Sequence, residues 1–185
     1  MEDVAKIEHM TRGHTRNQRW HEQRALRLCS SKFGTICKYR ESTDKDKLAR
    51  SLVFPKKFIS HSVKHGRDNE HIEIAQYEKI TGNKVHSNGL FLSRTHPYIA
   101  SSPDGLIDVE KILEVKFPYS SRMQAIAPKT VPYFEEINGF LSLKRDHNYF
   151  YQIQGQLFTT DKILCHFVVN LKVIEVHRDD NFITG

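Results

Sequence analysis

The sequence predicts an α/β (α+β) protein in which helices pack around a central mixed β-sheet. The first third of the chain is mostly helical in pattern, up to the stop signal Thr81-Gly82-Asn83. From residue 85 onwards, short β-branched runs bounded by turn residues replace the helical pattern. Asn138-Gly139, a strong hairpin signal, lies between two of these runs. A helical part therefore precedes the part that contains the sheet.

The individual elements follow in order from these patterns. Residues 15–29 carry Trp20, Leu26 and Leu28 among many charges, which predicts a helix, and further helical patterns occupy 45–59, 70–80, 120–126 and 147–159. Runs of β-branched and aromatic residues predict strands at 89–92, 99–101, 105–109, 112–116, 134–137, 140–143, 164–170 and 173–176. No repeat or linker interrupts the chain, so we expect a single domain over residues 1–185, mainly helical at 15–82 and sheet-containing at 85–180.

The charge balance favours a polyanionic partner. The formal net charge is +6 and the pI is about 9.2, a modest excess of basic residues. The three cysteines show no Cys-x-x-Cys spacing, which argues against a zinc knuckle or a disulfide framework and predicts thiols in the core. No apolar run approaches the roughly 18 residues of a membrane helix, and no signal peptide opens the chain. We therefore expect a soluble, intracellular protein of the cytoplasm or nucleus, without a membrane partner.

The most informative segment places an aspartate, a glutamate and a lysine on two neighbouring strands. Residues 103–105 have turn chemistry, so Asp104 enters one strand and Glu114 lies in the next. Glu114 and Lys116 share one face of that strand, whereas the apolar residues beside them face the other way. Mg²⁺ commonly takes one or two carboxylates from a protein, so Asp104 and Glu114 suffice as its protein ligands. Lys116 would act on the attacking water or on the charge that builds on the phosphoryl oxygens.

The flanking sequence carries a family resemblance, whereas a bare Glu-x-Lys is also common among solvated side chains on an exposed strand face. Pro103-Asp104, nine further residues and then Glu114-x-Lys116 matches the PD-(D/E)xK nuclease signature. The longer strings at 100–106 and 113–118 resemble the lambda-exonuclease or YqaJ-type viral recombinase branch of that superfamily. Matches elsewhere are Trp20, Arg24 and Ser31, Gly66-x-x-x-Glu70, and the Gln-x-Gln segment at 151–156. The resemblance spans most of the chain and implies a restriction-endonuclease-like core.

The resemblance implies roles for residues outside the strand pair. Glu70 and the carbonyl of Val115 would join the metal ligands, although a glutamate in a first helical turn is often only a capping carboxylate. Arg24 and Ser31 would bind a 5′-phosphate, because the planar fork of arginine donates two hydrogen bonds to one phosphate. Both residue types are also common in solvated or capping positions.

The Gln-x-Gln segment allows only one glutamine to enter the site. Gln152 and Gln154 lie about 200° apart around a helix, so they cannot share a face. The family pattern favours Gln154, which would contact a water of the metal or the scissile phosphate. Tyr151 would stand close by, and Arg122 is a further candidate DNA contact.

The function implied by the resemblance is that of a Mg²⁺-dependent deoxyribonuclease, with Mn²⁺ as a substitute, that digests double-stranded DNA from a 5′ end in recombination or repair. Members of the family can form rings and work beside a single-strand-annealing protein, so a homo-oligomer and such a partner are implied. Two alternatives remain open. One is a structure-dependent endonuclease on the same catalytic core, and the other is a non-catalytic module that binds DNA and leaves it uncut.

Overall fold

The computed structural model describes residues 4–54, 61–118 and 124–184, and of these the side chains of 61–65 and 67 are left undescribed. Short 3₁₀ turns at His14–Arg16 and Ser30–Lys32 join helices of the N-terminal part. The helices in the described ranges are α1 (Val4–Met10), α2 (Gln18–Ala25), α3 (Phe33–Cys37), α4 (Lys45–Val53), α5 (His61–Thr81), α6 (Asn148–Thr160) and α7 (Asp180–Thr184). No described helix is both long and apolar enough to cross a membrane.

The strands form three sheets, of which the largest is mixed. They are β1 (Leu28–Cys29), β2 (Phe91–Leu92), β3 (Ile99–Ser101), β4 (Gly105–Leu106), β5 (Lys111–Lys116), β6 (Phe134–Ile137), β7 (Phe140–Leu143), β8 (Leu164–Val169) and β9 (Lys172–His177). The orders are β1-β3-β2, β4-β5-β8-β9 and β6-β7. β5 and β8 run parallel, which requires a crossover, and α6 lies in that connection. The predicted combination of helices with a mixed sheet is confirmed.

The two faces of β5 serve different helices. Ile112 belongs to the core cluster that contains Ile153 and Leu157 of α6. Leu113 and Val115 instead pack in a cluster with Tyr77 of α5. Because side chains alternate along a strand, the even-numbered residues of β5 face α6 and the odd-numbered ones face α5. Glu114 and Lys116 therefore lie on the α6 side.

The sheet β1-β3-β2 connects the N-terminal helices to the part of the chain that contains the larger sheet. Ile7 of α1 is buried against Leu90, Leu92 and Ala100. The approach is close at Gly89, where a Cβ would lie 1.9 Å from the carbonyl oxygen of Glu8, so only glycine fits.

The sequence predicted the later elements better than the earlier ones. The hairpin at 134–143 is confirmed, with positive φ at both Asn138 (52°) and Gly139 (80°), the conformation that a two-residue I′ turn requires. The helix at 15–29 is wrong in extent, because α2 ends at Ala25 and Leu28 pairs with Ile99. Helices α1, α3 and α7 were not predicted. The helix predicted at 70–80 begins earlier, at His61, so the expectation that Glu70 lies in a first helical turn is wrong. Of the helix predicted at 120–126, residues 120–123 lie outside the described part, and 124–126 are not helical.

The cysteines are free thiols in different environments. Cys29 and Cys165 are buried, as predicted for core thiols. Cys37 at the end of α3 is exposed, so the prediction is wrong for this residue.

Candidate active site

The β4–β5 hairpin brings Asp104 beside Glu114. The backbone N–H of Asp104 donates to the carbonyl of Leu113 over 3.0 Å, which extends the ladder by one residue before β4. The side chain reaches across the same pair, because Asp104 Oδ2 accepts from the backbone N–H of Val115 over 2.7 Å. The carboxylate of Asp104 is therefore held at the strand that carries Glu114 and Lys116.

Three donors hold the carboxylate of Glu114, which is only 2% exposed. Gln152 Nε2 donates to Oε1 and Gln156 Nε2 donates to Oε2, each over 2.6 Å, and Lys116 Nζ forms an ion pair with Oε1. A buried charge is costly without such partners. Because a carboxylate has about four acceptor positions, these donors leave room for a further ligand.

Carboxyl groups crowd this end of β5. Burial raises the pKa of Asp104 well above its ordinary value, and the charges of Glu114 and Glu70 raise it further. Burial and then Glu114 also raise the pKa of Glu70. Burial alone would lower the pKa of Lys116, but Glu114 and Asp104 outweigh it and raise the pKa, so the ammonium stays charged. One ammonium thus faces several carboxyl groups.

The donor set fits a hard divalent cation, because carboxylate oxygens that repel one another are stabilised by a cation between them. Within the described ranges, no three His, Cys, Asp or Glu side chains form a complete metal cluster. Mg²⁺ commonly takes only one or two carboxylates, so a pair such as Asp104 and Glu114 is sufficient in number. Their assignment as ligands, with Glu70 and the carbonyl of Val115, stays a prediction.

An aromatic pair lies beside Lys116. The ring centroid of Tyr149 is 5.4 Å from Lys116 Nζ, a cation–π distance. Tyr133 packs edge-on against Tyr149 with centroids 5.0 Å apart. The lysine is therefore held between an aromatic ring and the carboxylate of Glu114.

A cleft of about 830 Å³ joins this carboxylate cluster to the N-terminal part of the chain. Arg24 lies on Trp20, with its Cζ atom 4.3 Å from the ring centroid, and Trp20 Nε1 donates to Ser102 Oγ over 3.1 Å. Trp20 thus connects Arg24 to the segment that leads into Asp104. The predicted residues that line the cleft are Arg24, Ser31, Glu70, Asp104, Glu114 and Lys116.

The prediction that Gln154 enters the site is wrong. Gln154 Nε2 donates to the carbonyl of His177, and its Oε1 accepts from the N–H of Asp179, both over 2.8 Å. Gln154 therefore ties α6 to the end of β9, while the opposite face of the helix turns to Glu114. The sequence did carry a signal for this arrangement, because Gln152 and Gln156 are four residues apart and share one helix face. Gln156 was not predicted, because the Gln-x-Gln motif was matched to Gln152 and Gln154 only.

Tyr151 was predicted to lie close to the site, and the structure places it elsewhere. Its ring packs on Phe182 with centroids 4.9 Å apart and lies 5.9 Å from Lys38 Nζ. It is not among the residues that line the cleft. Arg122 lies outside the described residues.

The chain belongs to the YqaJ-like viral recombinase domain family, which matches residues 19–163. An uncharacterized protein of Acanthamoeba polyphaga mimivirus is 30% identical over 152 residues. That match covers 75% of this chain but only 24% of the viral protein, so the chain spans about a quarter of the curated relative that it matches.

Solved structures show the same fold. The alkaline exonuclease LHK-Exo from Laribacter hongkongensis superposes with a TM-score of 0.70 at 21% identity, covering 91% of this chain and 86% of that one. LHK-Exo in complex with dAMP gives a TM-score of 0.72 at 20% identity over the same shares. A phage-related exonuclease from Haemophilus somnus gives 0.59 at 14% identity, covering 86% of this chain and 87% of that one. The restriction-endonuclease-like fold and the family predicted from the motifs are confirmed.

Proposed function

We propose that this chain is a Mg²⁺-dependent deoxyribonuclease that degrades double-stranded DNA from a 5′ end. One observation carries the proposal. The cleft that holds Asp104, Glu114 and Lys116 also holds Arg24 and Ser31, so a phosphodiester and a terminal phosphate can be bound in one continuous space. Membership of a viral recombinase family supports a role in DNA recombination or repair. The dAMP complex of LHK-Exo supports a mononucleotide as a fitting ligand.

Asp104 and Glu114 would hold the Mg²⁺ ion, with Glu70 and the carbonyl of Val115 as further oxygen ligands. The bound ion would supply a Lewis acid for the phosphoryl oxygens and lower the pKa of the attacking water. Hydrolysis adds water across the scissile bond, which leaves a hydroxyl on the phosphorus and a proton on the departing 3′ oxygen.

The protein's own groups would orient the reactants. Gln152 and Gln156 fix both oxygens of Glu114, which keeps the carboxylate aimed at the cleft. The charged Lys116 would offset negative charge that develops on the phosphoryl group. Arg24, preorganised on Trp20, would grip the terminal phosphate and hold the next phosphodiester at the carboxylates.

Linear and covalently closed circular duplex, each incubated with Mg²⁺ and with EDTA, test the proposal. An end-dependent exonuclease degrades the linear DNA to mononucleotides and leaves the circle intact. Cutting of both substrates would support the endonuclease alternative. DNA that is bound with steep salt dependence and stays uncut in Mg²⁺ and in Mn²⁺ would support the non-catalytic module instead.

A further inference from the structure

Tyr149 lies beside the site, and the function proposed so far gives it no role. Among the described residues, it is not one of those that line the cleft, but its ring centroid is 5.4 Å from Lys116 Nζ and the ammonium lies over the ring. Tyr149, Gln152 and Gln156 follow one another at spacings of three and four residues, so they share one face of α6. The helix face that holds Glu114 with two amides therefore also holds Lys116 with a ring.

The neighbouring side chains fix the ring of Tyr149. Tyr133 and His147 both pack edge-on against it, with centroids 5.0 Å and 4.8 Å away. His147 also caps α6, because its Nδ1 accepts from the backbone N–H of Tyr149 over 3.2 Å. Phe167 of β8 packs on a further side of the ring, with centroids 5.8 Å apart. The ring is therefore held in place independently of Lys116.

Lys116 depends more on its partners. Its side chain is 25% exposed, and its ammonium pairs with Oε1 of Glu114, which also accepts from Gln152. Because Glu114 is a proposed ligand of Mg²⁺, a cation bound there would share the negative charge of this carboxylate and repel the ammonium. The ion pair between Lys116 and Glu114 is therefore weakest in the state in which cleavage occurs.

An aromatic ring is a suitable partner for the ammonium in that state. The face of the ring attracts a cation through its quadrupole. Mg²⁺ prefers oxygen ligands and retains several of its waters, so a ring face does not compete with the carboxylates for the metal. A further carboxylate at this position would instead raise the pKa of Asp104 and Glu114 by repulsion, or bind the metal itself. The contact with Tyr149 therefore persists when the contact with Glu114 weakens.

We propose that Tyr149 is a positioning residue for DNA cleavage, whose ring keeps the ammonium of Lys116 at the scissile phosphate when Mg²⁺ occupies the carboxylates. This inference rests on the proposed function, because it takes Lys116 to act on the phosphoryl group. Without the ring, the repelled ammonium is free to move away from the carboxylates, and the charge that develops in the transition state loses a preorganised partner.

Fluorination of the ring at position 149 tests the inference, because fluorine weakens the attraction of a ring face for a cation and changes the shape of the ring little. Phenylalanine and its mono-, di- and trifluorinated forms are placed at position 149, and initial rates on linear duplex are measured with Mg²⁺. We expect Tyr149→Phe to stay within about threefold of wild type, and cleavage to fall with each added fluorine, by about tenfold over the series. A residue that only fills space would give equal rates throughout the series.

A second readout follows Lys116 without DNA and without turnover. Protons that lie over an aromatic ring resonate upfield, so the ε-methylene of Lys116 should be shifted upfield in protein that carries ¹³C-labelled lysine, and Lys116→Arg identifies the signal by its loss. Each protein is compared with itself before and after addition of Mg²⁺. The upfield shift should persist in Tyr149→Phe, whereas with the trifluorinated ring it should move towards the value of an exposed lysine.

Phe150 is the matched control on the same helix. Its ring centroid is 5.1 Å from Cζ of Arg145, a cation–π contact of similar length, and both residues line a cavity other than the cleft of the site. The same fluorinated residues at position 150 should leave the cleavage rate unchanged.

Equal rates throughout the series at position 149, or an equal loss at positions 149 and 150, would overturn the inference. A Lys116 signal that does not respond to Mg²⁺ in the trifluorinated protein would also contradict it. Failure of the proposed function shows separately, as wild-type protein that leaves linear DNA uncut with Mg²⁺. In that case the resonance of Lys116 still decides whether the ring holds the ammonium.

Discussion

The amide of Gln156 donates a 2.6 Å hydrogen bond to Oε2 of Glu114, and both side chains are withdrawn from solvent. The carboxylate predicted as a metal ligand is thus held by a side chain of α6 that is not itself a predicted metal ligand. A partner of this kind fixes the direction in which the remaining lone pairs of the carboxylate point.

Replacing Gln156 by methionine should therefore impair cleavage with little change in the volume that the side chain occupies. Gln156→Met removes the donor at similar volume, and we expect cleavage to fall by about 10-fold to 100-fold, with more Mg²⁺ needed for half-maximal rate. Initial rates over a Mg²⁺ titration measure both effects, and a melting curve verifies folding. A folded variant with the wild-type rate and Mg²⁺ requirement would contradict the positioning role.

For Gln154, on the same helix, we expect a loss of stability without a loss of cleavage. Gln154→Met removes the bonds to His177 and Asp179 and leaves two backbone groups unpaired, so we expect the free energy of unfolding to fall by about 1–3 kcal/mol. Urea titration measures this loss. Cleavage at low temperature, where the variant stays folded, should remain within about twofold of wild type. A stable but inactive Gln154→Met protein would show that Gln154 takes part in cleavage.

Metal binding should stabilise the protein. If Mg²⁺ or Mn²⁺ binds the folded state as proposed, saturating metal should raise the melting temperature, and Asp104→Asn should lose most of that rise. Because the pKa of Asp104 is raised by burial, the metal-free protein should become more stable as the pH falls through that raised pKa, where the folded state binds the extra proton. The rise caused by metal should shrink over the same range, since protons compete for the carboxylates. Equal melting temperatures with and without metal at neutral pH would count against the site.

Lys116 should affect catalysis far more than DNA binding. Lys116→Ala should reduce cleavage by about two orders of magnitude or more, because the ammonium acts on charge that develops in the transition state. DNA affinity, measured by fluorescence anisotropy, should change by less than about fivefold, since one cation among many contributes little. Lys111→Ala is the control on the same strand, because Lys111 pairs with Asp108 at the exposed turn. Unchanged cleavage by Lys116→Ala would exclude the lysine from the reaction.

Arg24 should determine the preference for a phosphorylated end. Wild-type protein should degrade 5′-phosphorylated linear duplex faster than the 5′-hydroxyl form, and Arg24→Ala should bring the ratio of the two rates to about one. Arg24→Lys should restore part of the preference, because a point charge replaces a planar fork. The ratio is the quantity to measure, since a general loss of affinity slows both substrates alike. Equal rates of the wild-type protein on the 5′-phosphorylated and the 5′-hydroxyl duplex would contradict recognition of the terminal phosphate.

The sequence predicted best where the local pattern and the tertiary structure demand the same conformation. Asn138-Gly139 defines its hairpin because few residues adopt its dihedral angles, and β5 was predicted to within one residue because apolar side chains alternate with Glu114 and Lys116. Leu28 and Cys29 have no local strand signal. They become a strand by pairing with Ile99 and Ala100, about seventy residues away in the chain, which no window of sequence contains.

The site residues likewise fall into those that a local motif predicts and those that depend on tertiary packing. Asp104, Glu114 and Lys116 could be recognised because their motif spans one hairpin. Helix geometry alone showed that one glutamine had to be chosen over another, but the choice depends on how α6 is rotated over β5. That rotation is set by the packing of Ile153 and Leu157 in the core, and it directs Gln152 and Gln156 to Glu114.

The pairing of β4 with β5 also bears on how distant relatives are recognised. Gly105 pairs with Leu113 and Leu106 with Ile112, so the distance between the two acidic side chains is set by register and not by the number of residues that separate them. Those residues include the exposed turn at Asp108, Val109 and Glu110, where extra residues could loop out into solvent without moving either carboxylate. A slip of the pairing by a single residue would instead exchange Glu114 for a core side chain. Searches for homologues should therefore let the interval between the acidic residues vary and hold the alternation around Glu114 constant.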